Sequence, residues 1–105
     1  MTWSRACSAG DLIDGVPLGV VVDEVLVCLV RTGGVVFAVH DECTHESVPL
    51  SEGDLENGAI ECWRHGSRFD LVTGAVLNPP AVKPVAIYPV RVVADDVLVR
   101  LRPHD

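Results

Sequence analysis

Two short cysteine–histidine motifs constrain this chain more than any other feature of its sequence. The first places Cys43 two residues before His45, and the second places Cys62 three residues before His65, with sixteen residues between the motifs. Each motif offers one thiolate and one imidazole from a short stretch of chain. Two such stretches that face each other supply two sulfur and two nitrogen ligands, so we expect the chain to fold around a metal centre.

Two kinds of metal centre use this set of ligands. A single zinc ion takes two cysteines and two histidines in a tetrahedron, and the common zinc finger places both cysteines first and both histidines on a helix. A [2Fe–2S] cluster can instead take two cysteines on one iron and two histidines on the other. Here the cysteine–histidine order occurs twice and the sequence has almost no helical signal. The cluster is therefore favoured, and a structural zinc site is the alternative.

Short apolar runs separated by turn residues fill much of the remaining sequence, and valine dominates them. Such runs are typical of β-strands, and several are apolar on consecutive residues, which predicts strands buried on both faces. One helical turn is predicted over 8–12, with Ser8 as its cap. The expected fold class is all-β, a small antiparallel sandwich. The predicted strands are 16–22 and 25–31, joined as a hairpin, and 35–40, 59–63, 85–93 and 97–101.

Length and charge exclude several classes of protein. The 105 residues suffice for one domain, so we expect 1–105 to form a single domain, with the polar, Gly- and Pro-rich region 41–80 as its metal-binding subdomain. The net charge of −7 argues against binding to nucleic acid or to an anionic membrane. No apolar run reaches the ~18 residues of a membrane span, and no signal peptide is visible, so a cytoplasmic location is expected. In that reducing compartment Cys7 and Cys28 are predicted to be buried thiols rather than disulfide partners.

The residues around the two motifs resemble the Rieske family of [2Fe–2S] proteins, and the resemblance covers nearly the whole chain. It implies a Rieske fold with a two-loop subdomain and one [2Fe–2S] cluster per chain. Cys43 and Cys62 would then bind the inner iron, and His45 and His65 the outer, more exposed iron. The residues that carry the resemblance outside the four ligands are 37–39 (FAV), 49–53 (PLSEG), 66–67 (GS), 68–70 (RFD), 73–74 (TG) and 79–80 (PP).

The resemblance also bears on the reduction potential. Rieske proteins of respiratory complexes carry an extra cysteine in each loop, and these cysteines form a disulfide beside the cluster. This chain has Val48 and Arg64 at those positions, so the disulfide is expected to be absent. Phe69 stands where those proteins carry a tyrosine that donates to a ligand sulfur. Fewer hydrogen bonds to sulfur favour a potential at the low end of the roughly −150 to +300 mV span, and a value above roughly +150 mV would contradict this.

Several further residues receive expected roles, those of Ser67 and Pro80 from the same resemblance. Ser67 aligns with a serine that hydrogen-bonds the cluster sulfide in the high-potential group, which would raise the potential. Gly66 is expected in a tight turn, and Pro80, with the proline before it, is expected to cover one side of the cluster. Trp63 could equally face a docking partner or pack beneath its loop. His40 is expected to be a surface histidine.

The pattern as a whole resembles the ferredoxins of multicomponent aromatic-ring dioxygenases, such as the biphenyl and carbazole systems. The implied function is a soluble one-electron carrier between a flavin-dependent ferredoxin reductase and a terminal Rieske oxygenase. The chain is expected to be no enzyme itself, since its length leaves no room for the oxygenase's catalytic domain. A monomer is expected, because transient electron-transfer contacts are small. The alternatives are a Rieske-fold small subunit of a nitrite-type reductase and a carrier for another redox system.

Overall fold

The computed structural model describes residues 2–101, and within them it is built from short antiparallel strands and two 3-10 turns. The expected all-β class is confirmed. One 3-10 turn spans Ala9–Asp11 and the other Leu50–Glu52. The strands are β1 (Ser4–Ser8), β2 (Leu18–Val22), β3 (Val25–Thr32), β4 (Val35–His40), β5 (Asp54–Glu56), β6 (Ala59–Glu61), β7 (Arg68–Asp70), β8 (Val76–Asn78), β9 (Ile87–Tyr88), β10 (Val90–Val93) and β11 (Asp96–Val99).

The strands form three sheets with the orders β1-β11-β10, β2-β3-β4-β9 and β5-β6-β7-β8. Three hairpins, β2–β3, β3–β4 and β5–β6, close through two residues that both have positive φ. Turns of this type match the twist of the strands that they join, which explains the two-residue loops. The predicted hairpin over 16–31 is confirmed, and Asp23 and Glu24 adopt the left-handed conformation at φ 47° and 69°.

Strand β3 separates two buried cores. Val27 and Leu29 lie in the core against the three-stranded sheet, whereas Cys28 and Val30 lie in the core beneath the metal-binding motifs. Each of these four residues is fully buried, as the run of consecutive apolar residues predicted. Since successive side chains of a strand point to opposite faces, one strand supports both cores and ties the motifs to the rest of the fold.

The predicted strand over 85–93 is wrong as one element. Residues Ile87–Tyr88 pair with β4, whereas Val90–Val93 pair with β11 in a different sheet. Pro89 lies between the two pieces and has no N–H to give to a ladder, and its carbonyl accepts a hydrogen bond from the N–H of Arg100 at 3.1 Å. The chain therefore changes sheets at this proline.

The region 41–80 contains the complete sheet β5-β6-β7-β8, of which the sequence predicted one strand, over 59–63, and this strand is present as β6 (Ala59–Glu61). Each of these strands has three residues, which is too short to show a period in the sequence. Strand β1 was also missed, because the SRACS sequence carries no apolar alternation. The helical turn predicted over 8–12 is confirmed as a 3-10 turn, and the Ser8 N–H donates to Asp11 Oδ2 at 3.0 Å.

No helix within residues 2–101 is long and apolar enough to cross a membrane. The expectation of a single domain over 1–105 stays a prediction, and Met1 and residues 102–105, with His104, lie outside the described residues.

Candidate metal centre

The first motif lies in a six-residue loop, which we call loop 1 (residues 43–48), between β4 and the second 3-10 turn. The Cys43 N–H donates to the carbonyl of Val48 at 2.9 Å and closes the loop. The Cys43 side chain points into the core and is 3 % exposed. The His45 side chain is 38 % exposed. Loop 1 therefore buries its thiol and keeps its imidazole at the surface.

The second motif lies in loop 2 (residues 62–67), between β6 and β7, and has the same closure. The Cys62 N–H donates to the carbonyl of Ser67 at 2.8 Å, five residues along, as in loop 1. Gly66 sits at φ +80°, a conformation that other residues rarely adopt, which confirms its predicted place in a tight turn. Cys62 is 2 % exposed, and the His65 side chain is 48 % exposed.

The two loops face each other, and they place the two predicted imidazole ligands side by side and the two predicted thiol ligands side by side. The rings of His45 and His65 lie with their centroids 5.6 Å apart, at 73° to each other. Burial raises the pKa of the Cys62 thiol, and the adjacent Cys43 thiol acts in the same direction. The backbone N–H groups of Arg64 and His65 donate toward the Cys62 sulfur and oppose that rise. Metal binding must therefore displace the proton of the Cys62 thiol.

This donor set fits a [2Fe–2S] cluster that has two thiolate and two imidazole ligands. The buried thiols and the exposed imidazoles give the site an inner sulfur side and an outer nitrogen side, which matches a cluster whose two irons have different ligands. A tetrahedral zinc ion could use the same four donors, so the donor chemistry alone leaves both metals possible.

A segment of chain over 78–83 lies across both loops. The Ala81 N–H donates to Ser67 Oγ at 3.0 Å, and Asn78 Nδ2 donates to the carbonyl of Gly66 at 2.9 Å. On the other loop, Thr44 Oγ1 donates to the carbonyl of Lys83 at 2.6 Å. The segment includes Pro80, which is exposed, and its predicted cover over one side of the cluster stays a prediction. Ser67 is buried and accepts from this segment, and its contact with a cluster sulfide stays a prediction.

Val48 and Arg64, which the resemblance places where the respiratory proteins carry a disulfide, differ in their burial. Val48 is buried in the core under the loops, and the Arg64 side chain is half exposed. All four cysteines are free thiols. Cys7 and Cys28 are buried, as predicted, Cys28 in the core beneath the two loops and Cys7 in the other core, and burial raises the pKa of both thiols.

Glu46 is a site residue that the sequence did not reveal. Its Oε1 lies 2.8 Å from His65 Nδ1 and 3.7 Å from His45 Nε2, and its Oε2 lies 3.4 Å from Arg64 Nε. The carboxylate thus sits among both imidazoles and a guanidinium. The only available signal was its position next to His45, which does not show which way a side chain in a loop points.

The structure also shows where Trp63 and His40 lie relative to the two loops. Trp63 is 55 % exposed, so it faces outward rather than packing beneath its loop. His40 lies on β4, where its Nε2 is 3.5 Å from Glu42 Oε1 and its Nδ1 is 3.4 Å from Tyr88 Oη. It is partly exposed and is not one of the groups gathered by the two loops.

Comparison with known proteins decides between the zinc ion and the [2Fe–2S] cluster. The family described as the Rieske [2Fe–2S] domain matches residues 2–89. The biphenyl dioxygenase ferredoxin subunit of Pseudomonas sp. (strain KKS102) is 39 % identical over 100 residues, which cover 94 % of this chain and 92 % of that protein. The ferredoxin component of biphenyl 2,3-dioxygenase from Rhodococcus jostii (strain RHA1) is 40 % identical over 103 residues, covering 96 % and 94 %.

Solved structures agree with the sequence comparison. The ferredoxin of carbazole 1,9a-dioxygenase from Nocardioides aromaticivorans IC177 superposes with a TM-score of 0.92 at 36 % identity, covering 97 % of this chain and all of that one. The terminal oxygenase of the same system superposes with a TM-score of 0.84 at 31 % identity, and the match covers 98 % of this chain and 31 % of the oxygenase. The chain therefore belongs to the Rieske [2Fe–2S] family, and it is an electron-carrying ferredoxin whose cofactor is a Rieske-type [2Fe–2S] cluster.

Proposed function

We propose that this ferredoxin serves a multicomponent aromatic-ring dioxygenase, in which it takes single electrons from a flavin-dependent reductase and passes them to a terminal Rieske oxygenase. The observation that carries the proposal is the meeting of loop 1 and loop 2, with buried thiols on the inside and exposed imidazoles on the outside. Relatives of this chain are named as the ferredoxin subunit of a biphenyl dioxygenase and the ferredoxin component of a naphthalene 1,2-dioxygenase system. A related structure contains an oxidised ferredoxin in complex with the reduced oxygenase of carbazole 1,9a-dioxygenase.

The four ligands in this proposal are Cys43, His45, Cys62 and His65. When bound, the cluster accepts and releases one electron at a time. The two thiolates hold it in the core, where the shared loop closures onto Val48 and Ser67 keep both sulfurs in place. The two imidazoles are the ligands nearest to solvent, and they offer the shortest path for an electron to a docked protein.

The surface around the histidines supports docking to a protein partner. Trp63 lies between the two ligands of loop 2 and is exposed, and Val82, on the segment that crosses both loops, is 85 % exposed. Exposed apolar side chains that surround a redox centre favour a dry contact with a partner. We propose a chain that acts as a monomer, with 41–80 as the subdomain that carries this surface.

Cluster content and ligand assignment can be tested on the same samples. We expect the dithionite-reduced protein to give a rhombic Rieske-type EPR signal, with two irons and two sulfides per chain. Alanine in place of any one of the four ligands should abolish the signal and lower the iron content. The matched controls are Cys7→Ala and His40→Ala, which remove a thiol and an imidazole outside the loops. Full cluster content in a ligand variant, or its loss in both controls, would overturn the assignment.

The role in a dioxygenase system needs a second experiment. The ferredoxin is mixed with a flavin-dependent reductase, NADH and the terminal oxygenase of a biphenyl dioxygenase, and product is measured with and without the ferredoxin. We expect product to depend on it. Reduction of the cluster by the reductase without any transfer to the oxygenase would point to a different acceptor.

A further inference from the structure

Asp41 is a buried carboxylate at the base of loop 1. It follows β4, lies two residues before Cys43 and is 7 % exposed. Its N–H donates to the carbonyl of Leu26 at 3.0 Å, which ties it to β3. Within residues 2–101 no lysine, arginine or histidine forms an ion pair with it. A buried charge without a cation is costly, so its hydrogen bonds must stabilise it strongly.

Both carboxylate oxygens of Asp41 bind the same residue on the far side of loop 1. The Ser51 N–H donates to Oδ1 at 2.6 Å, and the Ser51 Oγ donates to Oδ2 at 2.6 Å. Loop 1 lies between these two residues in sequence. The carboxylate therefore joins the entry of the loop to its exit, outside the closure that Cys43 makes with Val48. Because hydrogen bonds to a charged acceptor are short and strong, this closure is stiff.

Strand β2 covers this closure from a third direction. A Cβ atom at Gly19 would lie 2.6 Å from Ser51 Oγ and 2.7 Å from Asp41 Oδ2. Those distances are shorter than van der Waals contact, so only glycine lets β2 approach so closely. The Asp41–Ser51 contact is thus enclosed by β2, β3 and the second 3-10 turn, and loop 1 rests on it.

We propose that Asp41 is a positioning residue, whose double hydrogen bond to Ser51 holds loop 1 in the geometry that presents Cys43 and His45 to the cluster. The proposal rests on the ligand assignment made above. Loop 2 is closed differently: Glu61 before it and Arg68 after it form only a loose ion pair, with Oε1 and Nε 3.9 Å apart, beside the Cys62–Ser67 hydrogen bond and the contacts of the segment over 78–83. The two halves of the site are therefore held by different means.

The test compares variants that break the contact with one that preserves its shape. Asp41→Ala and Ser51→Ala each remove hydrogen bonds, and Gly19→Ala pushes a methyl group into the contact from β2. Asp41→Asn keeps it, because an asparagine can accept from the Ser51 N–H and donate to its hydroxyl. Gly10→Ala is the matched glycine control, since a Cβ there meets nothing within 4 Å.

Three quantities are measured on each holoprotein: the g-values of the reduced EPR signal, the midpoint potential, and the rate of iron release to a chelator. We expect Asp41→Ala, Ser51→Ala and Gly19→Ala to shift the g-values and to release iron roughly tenfold faster. We expect Asp41→Asn and Gly10→Ala to keep the g-values and release rate of the unaltered protein. Far-UV circular dichroism checks that each variant is folded. If Asp41→Ala does not fold, Ser51→Ala, the mildest change, takes its place in the test.

Two outcomes would overturn the proposal. Variants that lose thermal stability but keep the g-values and the release rate would give Asp41 a structural role only. Failure of Asp41→Asn to restore the values lost in Asp41→Ala would show that the geometry of the contact is not what matters. Neither outcome touches the proposed electron carrier, which fails separately if the unaltered protein lacks the Rieske-type signal.

Discussion

The Arg64 guanidinium and the Glu46 carboxylate form an ion pair between the two metal-binding loops, with Nε and Oε2 3.4 Å apart. Arg64 belongs to loop 2 and Glu46 to loop 1, so the pair joins the loops at their outer edge. The guanidinium is half exposed, and such pairs contribute only about 0.2–1 kcal/mol to stability, so the pair acts more on the charge around the histidines than on the fold.

Replacing Glu46 with glutamine should raise the reduction potential. The change removes a negative charge beside His65 and His45, and reduction adds a negative charge to the same site, so repulsion in the reduced state decreases. We expect a rise on the order of tens of millivolts at low ionic strength, measured by dye-mediated redox titration. The control is Asp95→Asn, which removes an exposed carboxylate far along the sequence in the β10–β11 turn.

The same ion pair also tests the direction of the shift in reduction potential. Arg64→Gln removes a positive charge at nearly the same place and should lower the potential. If both variants shift the potential in one direction, the effect comes from altered loop geometry and the electrostatic explanation is wrong.

Trp63 should contribute to partner binding without affecting the cluster. Its side chain is 55 % exposed on loop 2, and exposed tryptophans are enriched among residues that dominate the energy of protein contacts. We expect Trp63→Ala to raise the KM of the terminal oxygenase for the ferredoxin about fivefold or more, with an unchanged EPR spectrum. Val21→Ala on β2 alters an equally exposed apolar residue outside the loops and should leave KM unchanged. An altered EPR spectrum would place Trp63 in the support of the cluster instead.

The acidic surface should make electron transfer sensitive to salt. The chain carries a net charge of −7, which steers it toward a basic surface on a partner. We expect the second-order rate of electron transfer to the oxygenase to fall severalfold between about 20 and about 300 mM salt, because the Debye length shortens over that range. Stopped-flow measurement of cluster oxidation checks this. A rate independent of salt would mean that the acidic residues serve only solvation.

Alanine substitution should destabilise the protein more at Gly74 than at Gly58, although both glycines have a left-handed conformation. Gly74 and Gly58 have φ of +78° and +76°, but a Cβ at Gly74 would lie 2.2 Å from the carbonyl oxygen of Val85, whereas a Cβ at Gly58 meets nothing within 4 Å. We expect Gly58→Ala to cost about 1–2 kcal/mol in the free energy of unfolding, from backbone strain alone. Gly74→Ala should cost more, as measured by urea unfolding. Equal losses would show that the Val85 backbone moves aside freely.

The Cys28 thiol should stay protonated and unreactive in the folded protein. It lies in the core beneath the loops, and burial, assisted by the negative charge of Asp41, raises its pKa well above the ordinary value. The contribution of the protonated Cys28 thiol to the stability of the fold is therefore complete below the ordinary thiol pKa. It is lost as the pH rises toward the higher pKa that the thiol has in the folded protein. We expect iodoacetamide at pH 8 to label Cys28 only after unfolding, as read by peptide mass spectrometry. Labelling of the native protein would show that this core opens.

Much of the fold and the site could be predicted from the sequence, because the relevant signals are local. The two motifs name four side chains by type and spacing, and the structure places the two imidazoles next to each other and the two thiols next to each other. The apolar runs and turn residues over 16–31 predict the first hairpin, and the run of consecutive apolar residues in β3 predicts burial on both faces. These signals are strong because a ligand type, a turn conformation or a strand period depends on a few neighbouring residues.

The remaining features depend on contacts between residues far apart in the chain. The three-residue strands of the sheet β5-β6-β7-β8 show no period of their own and form because they pair with each other. The change of sheet at Pro89 and the outward side chain of Trp63 follow from packing. Glu46 meets His65 across two loops, and Asp41 meets Ser51 beneath Gly19. Local sequence names the candidate ligands of this ferredoxin. Only tertiary packing decides which charges and hydrogen bonds surround them, because those contacts form between segments that share no local pattern.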